Sequence, residues 1–76
     1  MDPQSTKDAI ARAVGRRMQA RREALGLTRQ DLAARLALTP DDIEAYETGA
    51  CRLTAARLHQ LALTLDTPIA ALFGVG

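Results

Sequence analysis

Two helix-start signals, eleven residues apart, constrain the fold of this chain more than any other feature. The first is Thr28 with Asp31 three positions on; the second is Thr39, followed by Pro40 and, three positions on, Asp42. In each, the threonine hydroxyl is placed to accept a backbone N–H of the first turn while the aspartate accepts the threonine's own N–H. The pair thereby satisfies donors that a helix start otherwise leaves bare. Pro40 falls at the first helical position, where its missing N–H costs nothing. Leu32, Ala33 and Leu36 follow the first signal at helical spacing, and only Ala37 and Leu38 separate Leu36 from Thr39. The spacing predicts helices over 29–36 and 40–47, joined by a turn too short to be a linker. In the second helix Ile43 and Tyr46 share one side, Asp41, Asp42, Glu44 and Ala45 the other, and Gly49 follows as a stop. Helices this short do not hold alone in water, so the two must pack on each other and on the rest of the chain. A helix, a tight turn and a second capped helix form the arrangement in which the second helix is offered to the DNA major groove.

The flanking sequence supplies a scaffold. A first helix is expected from a cap at Ser5 or Thr6 to about Ala24, with residues 1–5 a flexible start and 6–76 a single domain. Ile10, Val14 and Met18 are spaced by four as its core stripe, and the next step of four lands on Arg22. An arginine on an apolar stripe needs a partner. Glu47 stands in register with Ile43 on the inward side of the second capped helix, so the two are expected to pair across the core. The alternative is an Arg22 that snorkels to water and a Glu47 that is a surface charge. If the pair is buried, Glu47→Ala costs about 3 kcal/mol through the arginine left behind. Leu25-Gly26-Leu27 closes the first helix. Thr54 caps a fourth helix with Leu58, Leu61, Ala62 and Leu65 inward, and Thr67 caps a short fifth, with Pro68 at its first position and Ile69, Leu72 and Phe73 along it. The expected fold class is all-α, a compact five-helix bundle.

Composition narrows the function. At 76 residues the chain is one domain near the lower size limit for folding unaided, so a second copy is an expected partner. It is 47% hydrophobic with one Phe, one Tyr and no Trp, so the core is built from Leu, Ala, Ile and Val. Cys51 is the lone cysteine, which excludes an internal disulfide and suits a reducing, cytoplasmic compartment. The start MDPQSTKD lacks the basic and apolar regions of a signal peptide, and no stretch approaches a membrane span, so no membrane partner is expected. The net charge of +1 hides an uneven division: residues 1–36 carry eight basic side chains against four acidic, and residues 37–76 carry two against five. Phosphate contacts must therefore draw mostly on the front half.

Residue identities add a resemblance. Gly15-Arg16-Arg17, Arg21-Arg22, Leu25-Gly26-Leu27-Thr28, Leu32-Ala33, Leu36, Leu38-Thr39, Ile43, Tyr46-Glu47-Thr48-Gly49, Leu58, Leu61-Ala62, Leu65 and Leu72-Phe73 stand in an order and spacing that resembles the phage Cro and repressor type of helix-turn-helix domain, the XRE family. Coverage runs from about Val14 to Phe73. The stretch Tyr46-Glu47-x-Gly49 with Arg52-Leu53 and Ala56-Arg57-Leu58-His59 looks most like small bacterial regulators in which the domain makes up most of the protein. The resemblance implies a double-stranded DNA partner and an ion pair between Arg22 and Glu47. It implies a backbone-contacting position at Arg29, beside the cap Thr28, where the family usually has glutamine, and another at Arg52. Bases would be read by Pro40, Asp41, Asp42 and Ala45, with Thr39 and Glu44 at the margin. Independently, Thr54 opens a helix whose amides can take a phosphate. Here the chain departs from the usual pattern: the reading face has no Arg, Lys, Asn or Gln, the residues that make most base contacts. Its carboxylates can accept from cytosine N4 and Ala45 can touch a thymine methyl.

Enzymatic readings find no support. One Cys and one His do not make the usual metal cluster, Cys51 and His59 have no activating context, and no glycine-rich phosphate cradle is present, so no metal or cofactor is expected. Two readings remain. One is a DNA-binding transcriptional regulator, a homodimer through exposed apolar groups near Ile69, Leu72 and Val75, reading half-sites about a helical turn apart. The other is an interaction module of the same fold whose acidic Asp41, Asp42 and Glu44 bind a basic protein partner.

Overall fold

The computed structural model describes residues 3–74, with side chains from Asp8 onward. Five helices follow one another: α1 (Pro3–Ala24), α2 (Arg29–Leu36), α3 (Pro40–Thr48), α4 (Ala55–Thr64) and α5 (Ile69–Leu72). Among the described residues there is no strand, and no helix is long and apolar enough to cross a membrane. The all-α expectation is met. α1 packs against α3 and α5, α2 against α3 and α4, and α4 against α5, so each short helix is clamped between at least two others or by the long one. The core is Val14 and Met18 of α1, Leu32 and Ala33 of α2, Ile43 of α3, Leu58, Leu61 and Ala62 of α4, and Leu65 and Leu72. As composition requires, it contains no aromatic ring; Tyr46 packs partly buried against it.

Both predicted capping boxes form. The Thr28 hydroxyl accepts the Asp31 N–H at 3.0 Å and the Asp31 carboxylate accepts the Thr28 N–H at 2.9 Å; Thr39 and Asp42 repeat the pattern at 3.1 and 3.0 Å. Each aspartate is held below the usual carboxylate range, first by the threonine's backbone N–H and second by its hydroxyl. α3 ends on Gly49 at φ +79°, a left-handed position that a side chain would strain, and a Cβ there would also press on Arg12 of α1. The α2–α3 turn closes without a glycine. Ala37 closes α2 at φ 56°, a left-handed conformation usually left to glycine, and both its N–H and that of Leu38 return to the Ala33 carbonyl.

The structure corrects four expectations. α1 already runs from Pro3, ahead of the caps expected at Ser5 or Thr6. Ile10 is 49% exposed although it shares a stripe with Val14 and Met18. A helix of 22 residues is about 33 Å long, far longer than the nine-residue α3 beside it, so its early turns project past their cover. α5 starts at Ile69 with Pro68 as its flanking residue and no side-chain cap, so Thr67 does not cap it. Leu72, expected at an exposed dimer surface, is only 2% exposed, because α5 is a single turn held only by what it packs into the core, Leu72 with Ile69 partly buried beside it.

Candidate nucleic-acid interface

The candidate interface is supported from the inner side of α3. Arg22, the residue in step with Val14 and Met18, meets Glu47 in the core: its Nε donates to Oε2 at 2.6 Å and its Nη2 to Oε1 at 3.2 Å, a two-pronged pairing. Arg22 is 8% and Glu47 2% exposed. The third prong, Nη1, donates to the Leu27 carbonyl at 2.8 Å, just past the end of α1. The hydrogen bond to Glu47 raises the Arg22 guanidinium's pKa further, against the opposing effect of burial, so the group stays charged. No buried side-chain polar atom among the described residues lacks a partner, which is the condition under which a buried ion pair is tolerated. The expected pair is therefore present, and the snorkelling alternative is not.

Arg29 joins this pair, which the sequence reading missed. Its Nε donates to Glu47 Oε1 at 2.9 Å, and its Nη1 lies 3.7 Å from Glu44 Oε1. One buried carboxylate thus receives two arginines, from the end of α1 and the start of α2. The consequence for the expected phosphate contact is direct: the Arg29 guanidinium is already engaged with α3.

Backbone proximity fixes the same end of α3. A Cβ on Gly15 would collide with the carbonyl oxygens of Tyr46 and Glu47, so α1 approaches the last turn of α3 at a distance only glycine permits. A glycine inside a long helical pattern is the signal that points to such a contact. Arg21 donates to the Leu65 carbonyl at 2.8 Å and the Asp66 carbonyl at 3.0 Å, tying down the end of α4.

The outer side of α3 carries the remaining candidates. Pro40, Asp41 and Asp42 are exposed, as are Thr39 and Thr28 at the two caps, and Ala45 is half-buried. Asp42 is committed to its capping box and Glu44 faces Arg29, so the acidic groups on this face are not equivalent. Arg52 is half exposed, 3.6 Å from Asp8 of α1. Thr54 caps α4 by accepting the Arg57 N–H at 3.1 Å. Ile69 is half-buried, Leu72 is in the core, and Val75 lies outside the described residues. Cys51 and His59 are exposed, and no group of three or more His, Cys, Asp or Glu is placed to hold a metal ion among the described residues.

Two capped helices joined by three residues, the second presenting one face outward while an ion pair and Ile43 hold it from behind, define a helix-turn-helix domain. Residues 13–72 match the family model described as "Helix-turn-helix domain", and the chain belongs to that family. It is 41% identical over 56 residues to an uncharacterized transcriptional regulator in the ATPase CF(0) region of Rhodospirillum rubrum, a match covering 74% of this chain and 52% of the relative. Over 60 residues it is 35% identical to uncharacterized HTH-type transcriptional regulators of Sinorhizobium medicae and Rhizobium meliloti, covering 79% of this chain and 43% of each relative. The chain spans about half the length of the curated relatives it matches.

Proposed function

We propose that this domain binds double-stranded DNA by seating α3 in the major groove and so regulates transcription, in the manner of the phage Cro and repressor, or XRE, type. The observation that carries the reading is the two-sidedness of α3: Ile43 and Glu47 are buried, while Pro40, Asp41, Asp42 and Glu44 are exposed, Glu44 facing Arg29 at the start of α2. In this reading Arg52 and the opening turn of α4 at Thr54 meet phosphates. The helix-turn-helix family match and relatives named as transcriptional regulators support the same reading. The domain works as a homodimer in the cytoplasm, two copies of α3 meeting half-sites about one helical turn apart.

The rival reading, a basic protein partner on the acidic face of α3, is weaker than the sequence suggests. Asp42 is turned back onto Thr39 and Glu44 faces Arg29, so less of the negative charge is available to a partner. The test is binding of the purified chain to random-sequence and genomic DNA across a salt series. Selective binding that weakens steeply with salt is the expected result. No binding even at low salt overturns the proposal and moves the search to a protein partner.

A further inference from the structure

We infer that Arg29 is a positioning residue rather than a phosphate contact, and that it acts on the DNA-facing surface through two glutamates of α3. The inference rests on the DNA-binding reading of α3. Arg29 is the first residue of α2, and the two carboxylates it faces belong to α3, so its side chain bridges the two helices of the helix-turn-helix. The two legs differ. Glu47 is wholly buried and receives the Arg29 Nε at 2.9 Å, which fixes where the guanidinium lies. Glu44 is on the outer face, its side chain 55% exposed, and meets the opposite side of the same guanidinium at 3.7 Å. A guanidinium can face two carboxylates at once because its donors fan out in a rigid plane; a lysine ammonium gathers its donors on one atom and lacks that fork.

Moving Arg29 to a phosphate would undo both legs. Glu47 would lose one of the donors that compensate its burial, and Glu44 would present an unscreened negative charge to a polyanion. Both changes oppose binding, so the arrangement favours leaving Arg29 where it is. Its effect on DNA is then indirect: it fixes α2 against α3 and draws the Glu44 carboxylate toward α2, lowering the negative charge of the face that approaches the groove.

The test uses the full chain and a duplex recovered from a random-sequence pool, with binding measured at about 50 to 200 mM salt. Urea midpoints first establish a temperature at which every variant is folded. Arg29→Lys keeps the charge, so a phosphate contact predicts affinity within about twofold of the unaltered chain. The positioning role predicts that Arg29→Lys and Arg29→Gln both weaken binding, by roughly tenfold. It also predicts that adding Glu44→Gln to Arg29→Gln recovers most of that loss, because the exposed charge is gone. Retained affinity in Arg29→Lys, or no recovery from Glu44→Gln, overturns the inference and leaves DNA binding standing. If the unaltered chain binds no duplex at all, the functional reading falls and this inference falls with it.

Discussion

The α2–α3 pair and the α4–α5 pair are built on different principles, although both join short helices through a few residues. In α2–α3 each helix begins with a reciprocal capping box, and α3 is then gripped from behind by two arginines on Glu47. In α4–α5 only Thr54 supplies a side-chain cap; α5 is one turn without one, and it is held by Leu72 in the core, with Arg21 of α1 tying down the Leu65 and Asp66 carbonyls just ahead of it. Local chemistry specifies the first pair, whereas packing from other elements specifies the second. That division suits the proposed function, since a reading helix must be held at a fixed angle while one face stays bare.

The largest effect that sharpens this contrast is at the ion pair. Glu47→Ala leaves Arg22, and in part Arg29, without a carboxylate, so the expected destabilisation rises to about 4 kcal/mol. Urea unfolding checks it, and an unchanged midpoint would mean that the pair does not hold α3. Next comes the packing-held pair: Leu72→Ala should cost about 3 kcal/mol by the same measurement, as a buried leucine does, and a cost below about 1 kcal/mol would make α5 a surface appendage. Gly15→Ala follows. In an open helix it would gain up to about 1 kcal/mol, but here the added methyl meets the Tyr46 and Glu47 carbonyls, and a net loss of about 2 kcal/mol is expected. A gain in thermal midpoint would show that α1 and α3 are not in close contact.

The smallest effects lie at the caps. Thr39→Ala should cost about 1 kcal/mol. Its partner Asp42 adds a pH signature, because the fold depresses the pKa of its carboxyl. A depressed carboxylate contributes stability above its unfolded pKa of about 3.9, and that contribution is lost as pH falls below this value toward the folded pKa. The gap in urea midpoint between the unaltered chain and Asp42→Asn should therefore be present at neutral pH and close in acid. A gap that is constant with pH would deny Asp42 its role in the box.

The same division explains what was legible in the sequence. Thr28, Asp31, Thr39 and Asp42 act on atoms within three residues of themselves, so α2 and α3 were readable to within a residue, and the Arg22–Glu47 pair followed because each stood in register with an apolar stripe. Leu72 was misread as an exposed dimer residue, and Thr67 as a cap, because nothing local distinguishes a one-turn helix held by packing from a longer one held by its own start signal. Ile10 was misread because a stripe shows which face is inward but not how far along the helix the cover extends. In the candidate site, the exposure of Asp41 and Asp42 was legible; the engagement of Arg29 was not, because it depends on how closely α2 and α3 approach, which the Ala37 turn sets.

The most direct test, whether the α2–α3 pair and the opening turn of α4 face DNA while the rest of α4 and α5 do not, is an NMR titration of the isotope-labelled chain with a selected duplex. Amide shifts are expected to concentrate at the starts of α2 and α3 and from Cys51 to Ala55, with Ala62 to Gly74 little changed. Shifts concentrated in Ala62 to Gly74, with Thr28 to Thr48 unmoved, would contradict that expectation.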